Sequence, residues 1–328
     1  MSDISSKLKT IGVMTSGGDA PGMNPFIRAV VRTGAASGIR VLGVEGGFEG
    51  LIRGKFRELG VRDVGGILQR GGTILQTARS KEFREPSGQR EAVRQINNAG
   101  MDALIVAGGD GSLRGAQKLI EKDIPVVGVP ASIDNDIYGT DMCIGVDPAL
   151  NTIVDAIDKI RDTASSHNRA FLVETMGRAS GYLAVQAGII TGAELVLIPE
   201  DKTPPSEVAR AIEEAYRRGK THAIVVVAEG YTPHTLELGQ MIDDLDIGFT
   251  TRVTILGHVQ RGGKPTAFDR LLATRFGVKA VEFLMAGKSN VMTGMTGREI
   301  LPIPLDDVGN NIKSISADYI QMARILAR

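Results

Sequence analysis

Two aspartates, Asp134 and Asp136, stand one residue apart in the segment GVPASIDNDIYG, residues 128–139. The apolar run before them, residues 125–129, has the length and β-branched content of a buried strand, so both carboxylates follow a strand end. Like charges this close repel each other, and something must offset their repulsion. If Asp136 helps to hold a divalent cation, Asp134 stays available to accept a proton, as phosphoryl transfer to a hydroxyl requires. The alternative is a helix-capping or Asx-turn loop.

Two glycine-rich stretches also follow predicted strands and open helices: TSGGDAPGMN at 15–24 and VAGGDGSLRGA at 106–116. Glycines there let backbone N–H groups approach a phosphate beside the positive end of a helix. Asp110, within the second stretch, implies a bridging Mg²⁺, which proteins hold with one or two carboxylates plus phosphate oxygens. A tight β–α turn is the alternative for the first stretch alone. Two such loops in one chain favour a nucleotide or a polyphosphate as ligand.

Arg178 follows a strand and a glycine in VETMGRASGY, a position from which a guanidinium could reach a transferring phosphoryl group. A surface arginine is the alternative. Other catalytic schemes fit poorly, since GRASG is one residue off a nucleophile elbow and neither GKS nor GKT has the upstream glycine of a Walker A loop. The spacing of the four histidines does not match that of zinc ligands, which argues against a zinc site. These histidines are His167, His222, His234 and His258.

Strand-like and helical stretches alternate along the chain, which predicts parallel sheets with right-handed crossovers and ligands at the carboxyl ends of the strands. Helices are predicted over residues 151–167, with an isoleucine every three or four residues, and from an N-cap at Ser206 to Gly219. The predicted strands are Thr10–Met14, Val41–Val44, Ala103–Ala107, Val126–Val129, Ala170–Glu174, Leu195–Ile198, Ala223–Ala228 and Val253–Leu256.

The bulk composition narrows the class of protein. The 328 residues are enough for two lobes, and basic and acidic residues balance at 38 each, so no global field favours nucleic acid or membrane. The single Cys143 excludes an intramolecular disulfide and suits a reducing compartment. No apolar run approaches the roughly 20 residues that cross a bilayer, and the first ten residues lack the apolar core of a signal peptide. These features predict a cytoplasmic protein that binds neither nucleic acid nor membrane.

Seven motifs in order identify a family that the chain resembles: TSGGDAPGMN, GGDGS, SIDNDIYGTD, SSHNR, MGRASGY, a strand ending in AEG, and GHVQRGG. Together, from about residue 10 to about residue 285, they are similar to 6-phosphofructokinases of the short bacterial, ATP-dependent type. The resemblance implies an α/β phosphofructokinase fold, with two lobes of mostly parallel sheet flanked by helices and the active site in the cleft between them. The implied nucleotide-binding lobe comprises residues 1–145 and 260–311. The sugar-phosphate-binding lobe comprises 146–259 and 312–328, with a C-terminal helix expected over residues 312–326.

The resemblance implies a glycolytic reaction in which the γ-phosphate of ATP passes to the 1-hydroxyl of fructose 6-phosphate. Asp134 would be the base, Gly18 and Arg178 would stabilise the phosphoryl charge, Ser132 would keep a family hydroxyl, and Asp110 with Asp136 would organise Mg²⁺. The implied nucleotide ligands are Gly18, Arg79, Ser80, Phe83, Arg84, Gly109, Asp110, Gly111, Ser112 and Gly115. The implied sugar-phosphate ligands are Ser132, Asp134, Asp136, Arg169, Met176, Gly177, Arg178, Glu229, Arg252, His258 and Arg261.

The family also implies assembly and regulation. Arg169 and Arg252 look like the pair that reaches the 6-phosphate from a neighbouring subunit, which makes a homotetramer the expected assembly. Family members bind ADP or phosphoenolpyruvate as effectors, and the matching residues are Arg28, Arg32, Arg161, Glu194, Arg218, Lys220 and His222. One arginine of that effector site is Val61 here, with Arg62 adjacent.

The donor is the main alternative left by the sequence. At position 131, ATP-dependent members usually carry glycine and pyrophosphate-dependent members typically carry lysine, whereas this chain has Ala131. Pyrophosphate-dependent members also typically carry aspartate at position 111, where this chain has Gly111. An aspartate at position 111 would repel the α-phosphate of ATP, so Gly111 favours ATP, while Ala131 matches neither pattern. An NAD or lipid kinase would share only the GGDG loop. A non-catalytic paralogue should have lost Asp134, Asp110 or Arg178, and all three are present.

Overall fold

A computed structural model of the chain describes residues 8–166, 169–245 and 250–327. Two residues of the motif SSHNR, His167 and Asn168, lie outside the described residues. So do residues 1–7, 246–249 and 328 of the predicted lobes. The chain divides into two compact units. Unit 1 comprises Met1–Ile133, Ile137–Pro148 and Arg261–Lys313, and unit 2 comprises Asp134–Asp136, Ala149–Gln260 and Ser314–Arg328.

Strands and helices alternate along most of the chain. The strands in the described ranges are β1 (Thr10–Ser16), β2 (Arg40–Val44), β3 (Phe56–Glu58), β4 (Ala103–Gly108), β5 (Val126–Pro130), β6 (Arg169–Thr175), β7 (Leu195–Leu197), β8 (Ala223–Ala228), β9 (Thr250–Ile255), β10 (Val291–Thr296) and β11 (Glu299–Pro304). The helices are α1 (Met23–Ala36), α2 (Gly47–Ile52), α3 (Pro86–Asn98), α4 (Asp110–Ile120), α5 (Val146–Ala164), α6 (Tyr182–Thr191), α7 (Pro205–Arg217), α8 (Thr235–Asp243), α9 (Ala267–Met285), α10 (Leu305–Asn310) and α11 (Ala317–Leu326).

Unit 1 is built on a sheet with the strand order β11-β10-β5-β4-β1-β2-β3. The neighbours from β10 to β2 run parallel, whereas β11 and β3 pair antiparallel at the two edges. Every residue of β1, β4 and β5 is buried, which is why these strands read as continuous apolar runs in the sequence. Helices α1 and α9 pack closely together at Gly277. A side chain at that position would crowd Ala29 and the Phe26 carbonyl, so the contact depends on glycine.

Unit 2 is built on a parallel sheet with the strand order β7-β8-β6-β9. One face is covered by α7 and α8, whose buried Val208, Ile212 and Leu238 pack against Leu172 and Val225 of the sheet. Burying these apolar side chains supplies most of the stabilisation of such a layer, at about 25 cal/mol for each Å² removed from water.

The sequence predictions for fold class and strands are confirmed. All eight predicted strands are present as β1, β2, β4, β5, β6, β7, β8 and β9, within a few residues of the predicted bounds, and the sheets are mostly parallel. Strands β3, β10 and β11 were not predicted. Among the described helices, none is long and apolar enough to cross a membrane.

Two predictions about helices were wrong in detail. Ser206 is not the N-cap of α7, because Pro204 occupies that position and Pro205 is the first helical residue, where its missing N–H costs nothing. Residues 312–316, predicted to belong to the C-terminal helix, are not helical. Helix α11 begins instead after Ser316, whose side chain accepts a hydrogen bond from the Asp318 N–H as an N-cap.

Candidate active site

The two glycine-rich loops of unit 1 lie side by side, as the parallel pairing of β1 with β4 requires. Ser16 and Gly108 are register partners at the carboxyl ends of these strands. A Cβ atom added at Gly17 would lie 3.0 Å from the Ser112 hydroxyl, so only glycine allows this close approach. Ser112 is buried in the first turn of α4, and Gly18 is half-buried. The structure therefore brings the two predicted phosphate-binding loops together.

A third loop joins them because β5 lies next to β4. The Ala131 N–H donates a hydrogen bond to the Gly108 carbonyl at 3.0 Å, and a Cβ atom at Gly109 would lie 3.7 Å from the Ser132 Cβ. Ala131 is 2% exposed. Among the described residues, no atom lies within 4 Å of the Cβ position of Gly111, so the first turn of α4 borders open space there.

Residues 77–84 are fastened to the phosphate loops from a second direction. The Thr77 hydroxyl donates to the Gly17 carbonyl at 2.7 Å, and the Ser80 hydroxyl donates to Glu49 at 2.7 Å. The Phe83 ring is buried and stacks on Phe48 with a centroid separation of 4.1 Å. Phe83, predicted to bind the nucleotide, therefore uses its ring to fix this loop within the unit.

The other predicted nucleotide ligands differ in exposure. Arg79 and Arg84 are exposed cations, whereas Gly115 lies against the Phe48 ring, where a Cβ atom would be 2.8 Å from two ring carbons. Asp110 is half-buried at the start of α4, and one of its oxygens lies 3.1 Å from Arg114 Nε. Arg261, predicted to bind the sugar phosphate, lies in unit 1 against Gly18 and donates to the Asp19 carbonyl at 3.2 Å.

Unit 2 contains the predicted base together with its predicted arginine. Asp134 is buried with 2% of its surface exposed, and its Oδ2 lies 3.5 Å from Arg178 Nε. The guanidinium is largely exposed, so one positive charge offsets the buried carboxylate and still faces solvent. This ion pair joins two motifs, SIDND and MGR, that are 44 residues apart in the chain.

The backbone of Arg178 has an uncommon conformation that Glu229 stabilises. Arg178 has φ +53°, which a non-glycine residue adopts only at a cost of about 1–3 kcal/mol. Glu229 Oε1 accepts hydrogen bonds from the Gly177 N–H at 3.1 Å and the Arg178 N–H at 2.7 Å. Gly230 leaves space for the Arg178 carbonyl, which a side chain there would overlap. Sequence reasoning assigned Glu229 to the sugar and missed this second role.

The remaining predicted sugar ligands of unit 2 occupy two separate ends of its sheet. Met176 follows β6 at its carboxyl end, and its N–H donates to the side chain of Gln260, a buried residue that the sequence did not single out. Arg169 is the first residue of β6. Arg252 of β9 is the register partner of Phe171, two residues further along β6, so the two arginines lie on the same face of the sheet. A seven-residue strand spans about 20 Å, so this arginine pair lies far from the Met176 end of the sheet.

His258 and the predicted effector residues are distributed differently. His258 is exposed in a short 3₁₀ helix, Gly257–Arg261. Buried Glu194 accepts from Lys220 Nζ at 2.8 Å and from the Ile224 N–H at 2.6 Å. Arg161 donates to the Thr191 carbonyl, three residues before Glu194. Arg218 caps the end of α7 and His222 lies two residues after Lys220, whereas Arg28 and Arg32 lie one turn apart on α1 in unit 1.

Metal binding rests on the chemistry of the donor side chains. Within the described ranges, no group of three or more histidine, cysteine, aspartate or glutamate side chains forms a metal cluster. The predicted pair, Asp110 and Asp136, offers carboxylate oxygens, which are the ligands that Mg²⁺ prefers when it is held mainly by substrate phosphates. The residue types therefore fit the ion.

Comparisons with known proteins agree on one family. A family model described as Phosphofructokinase matches residues 10–284. The ATP-dependent 6-phosphofructokinase of Thermotoga neapolitana is 50% identical over 321 residues, covering 98% of this chain and 100% of that protein. The solved phosphofructokinase of Pichia pastoris in the T-state matches 97% of this chain at a TM-score of 0.88 and 41% identity, and the match covers 38% of that longer chain. A pyrophosphate-dependent phosphofructokinase from Marinobacter aquaeolei, at 20% identity and a TM-score of 0.84 over 97% of this chain and 91% of that one, shows the shared fold alone.

Proposed function

The chain belongs to the phosphofructokinase family, and we propose that its Asp134 is the base for transfer of the ATP γ-phosphate to the 1-hydroxyl of fructose 6-phosphate. The product is fructose 1,6-bisphosphate, and the reaction is a step of glycolysis. The observation that carries this proposal is the buried carboxylate of Asp134 beside Arg178, at 3.5 Å, in a chain half identical over nearly its full length to an ATP-dependent 6-phosphofructokinase.

The pair of Asp134 and Arg178 suits a transfer that proceeds without a covalent intermediate. Asp134 takes the proton from the sugar hydroxyl as that oxygen attacks phosphorus, a role worth about 10²–10⁴ in rate. Arg178 offsets the charge of the carboxylate before reaction and stabilises charge on the transferring group during it. The hydrogen bonds that Glu229 accepts from the Gly177 and Arg178 N–H groups hold the backbone that carries the guanidinium, so less reorganisation accompanies the chemical step.

The glycine-rich loops of unit 1 suit the polyphosphate of ATP. Gly18 offers a backbone N–H to the transferring phosphoryl group, and the start of α4 at Gly109–Gly111 offers the positive end of a helix dipole. Arg79 and Arg84 are exposed cations on the adjoining loop. When bound, Mg²⁺ would neutralise part of the phosphate charge, with Asp110 and Asp136 as its protein ligands.

A second subunit is needed to complete the sugar-phosphate site in this proposal. Arg169 begins β6, and Arg252 is the third residue of β9, level with Phe171, so the pair lies about five to seven residues, roughly 16–23 Å of strand, from Met176. Within one chain, the arginine pair therefore lies away from the carboxyl end of the sheet, where Met176 and Glu229 follow their strands. This separation supports contribution of the arginine pair by a neighbouring subunit, and we propose a homotetramer.

An effector site and a cytoplasmic location are further parts of the proposal. Glu194, Lys220 and Arg161 form a partly buried charged group that suits an anionic effector such as ADP or phosphoenolpyruvate. The replacement of one effector-site arginine by Val61, which is exposed, would remove about 1.5–3 kcal/mol of phosphate binding unless Arg62 replaces it. The cytoplasmic location stays a prediction from the sequence.

The donor is ATP, and the experiment that tests this compares donors directly. Initial rates of fructose 1,6-bisphosphate formation are measured with Mg²⁺ and either ATP or pyrophosphate, at equal donor concentrations. We expect turnover with ATP and at least a hundredfold less with pyrophosphate. A preference for pyrophosphate would contradict the assignment of the donor, and no turnover with either donor in a folded oligomer would contradict the assignment of the acceptor.

A further inference from the structure

One buried carboxylate outside the predicted site makes long-range contacts. Asp269 is the third residue of α9 and has no exposed surface, and its N–H donates to the hydroxyl of the N-cap residue Thr266 at 3.2 Å. Its Oδ1 accepts a hydrogen bond at 2.8 Å from the N–H of Gly145, a residue 124 positions earlier in the chain. Asp269 therefore fixes a distant loop to the start of α9.

The second oxygen of the same carboxylate faces another loop. Gly22 has φ +99°, and a Cβ atom at this position would overlap Asp269 Oδ2. The same Cβ atom would lie 2.6 Å from Ile144 Cγ2, so Gly22, Ile144 and Asp269 meet at one point. Oδ2 has no hydrogen-bond partner among the described residues. The Asp269 carboxylate thus lies between the loop that ends at Gly22 and the loop that ends at Gly145, and it accepts a hydrogen bond from the Gly145 loop.

Both loops carry groups that the proposed reaction uses. Gly22 ends the loop that begins after β1 and contains Gly18. Gly145 ends the loop that follows β5 and contains Ser132, and the two ends of that loop are paired, since the Ser132 N–H donates to the Ile144 carbonyl at 3.1 Å. A displacement of Gly145 is therefore transmitted to Ser132 through one peptide unit and one hydrogen bond.

We propose that Asp269 is a positioning residue for phosphoryl transfer, holding the loop of Gly18 and the loop of Ser132 in register with each other. This inference rests on the proposed function, because it takes Gly18 and Ser132 to act in the reaction. Asp269 acts through these loops and itself binds neither substrate.

The cost of burying this carboxylate argues that it has such a role. The pKa of Asp269 is raised to about 7, chiefly by burial; the hydrogen bond from the Gly145 N–H opposes the rise, and the nearby charge of Asp147 adds to it. An apolar side chain of similar size would avoid the penalty, but it would leave the buried Gly145 N–H without its acceptor. The hydrogen bond to Gly145 is thus the function of Asp269 that an apolar residue cannot replace.

The test combines hydrogen exchange with kinetics on the full-length protein. Asp269→Ala removes the acceptor, Asp269→Asn keeps an oxygen acceptor of the same shape, and Val281→Ala removes buried volume from the other end of α9 as the matched control. In Asp269→Ala we expect amide exchange at residues 17–22 and 144–146 to quicken at least tenfold, and kcat per folded enzyme to fall at least tenfold. Asp269→Asn should keep both quantities within threefold of the wild type, and Val281→Ala should leave exchange in these two segments unchanged.

Two results would overturn the inference. One is exchange and kcat in Asp269→Ala that follow Val281→Ala once the folded fraction is matched, and the other is an Asp269→Asn variant as impaired as Asp269→Ala. If Asp269→Ala does not fold, Gly22→Ala displaces the same carboxylate from the opposite side and should give the same local exchange and the same loss of kcat. Wild-type protein without turnover would refute the proposed function, whereas the exchange measurements would still decide the positioning role.

Discussion

Replacing Asp269 with asparagine is expected to change how the stability of the protein depends on pH. The pKa of this carboxyl is raised from 3.8 to about 7, chiefly because burial disfavours the charged form. The Gly145 N–H opposes this shift, and Asp147 adds to it. Asparagine has nearly the same shape and keeps an oxygen for the Gly145 N–H, but it does not titrate.

The direction in which stability changes with pH follows from the number of protons that Asp269 binds in the folded and in the unfolded protein. Between about pH 4 and pH 7 the folded protein holds a proton on Asp269 that the unfolded chain has lost, so the wild type loses stability as pH rises through this window. Above about pH 7 the loss is complete and stays constant. A shift of about three pKa units corresponds to roughly 4 kcal/mol, which is an upper limit for the whole window.

Urea unfolding at two pH values measures this difference. At about pH 5 we expect Asp269→Asn to be more stable than the wild type by roughly 1–2 kcal/mol, because the carboxyl of the unfolded wild type is already ionised there. At about pH 8 the variant should be more stable, with the gap wider by about 3 kcal/mol. Glu58→Gln, which removes an exposed carboxylate from an ion pair with Arg40 in the same unit, controls for the loss of one charge and should show little widening. A gap for Asp269→Asn that is the same at both pH values would show that folding does not raise the pKa of Asp269.

Three further substitutions test other parts of the account. Gly230→Ala places a methyl group where the Arg178 carbonyl lies, so steady-state kinetics should show kcat reduced at least tenfold; unchanged kcat would contradict the described conformation of Arg178. Gly111→Asp fits the open space at α4, so its thermal melting should match the wild type while its rate with ATP falls at least a hundredfold through repulsion; an unchanged rate would place the phosphates elsewhere. Lys220→Ala leaves buried Glu194 without its cation, which should lower the urea-derived free energy of unfolding by about 1–3 kcal/mol and abolish any response to ADP; an unchanged response would exclude Lys220 from the effector site.

The parallel core of the fold could be predicted because its strands are buried on both faces. Strands β4 and β8 therefore appear as uninterrupted apolar runs, ALIVAG and AIVVVA. The edge strands gave weaker signals. Strand β3 has only three residues, β10 contains Gly294, and β11 contains Pro302 and Pro304, which an antiparallel edge strand tolerates but which read as breaks in the sequence.

The candidate site could be predicted as far as its motifs reach. The loops after β1, β4 and β5 were recognisable because each pairs glycines or carboxylates with a strand end. Contacts between residues far apart in the chain gave no local signal. The hydrogen bond from the Arg178 N–H to Glu229 joins residues 51 positions apart, and the one from the Gly145 N–H to Asp269 joins residues 124 positions apart. Positive φ at Arg178 is likewise invisible, because the sequence shows an arginine where the backbone would suit glycine.

The central claim is that Asp134 is the base in an ATP-dependent transfer, and the most direct measurement is kcat of Asp134→Ser. The assay uses saturating ATP, fructose 6-phosphate and Mg²⁺, with ATP binding measured separately to show that the site remains intact. We expect kcat to fall by about 10²–10⁴-fold with little change in ATP affinity. A variant that binds ATP and turns over within tenfold of the wild type would contradict it.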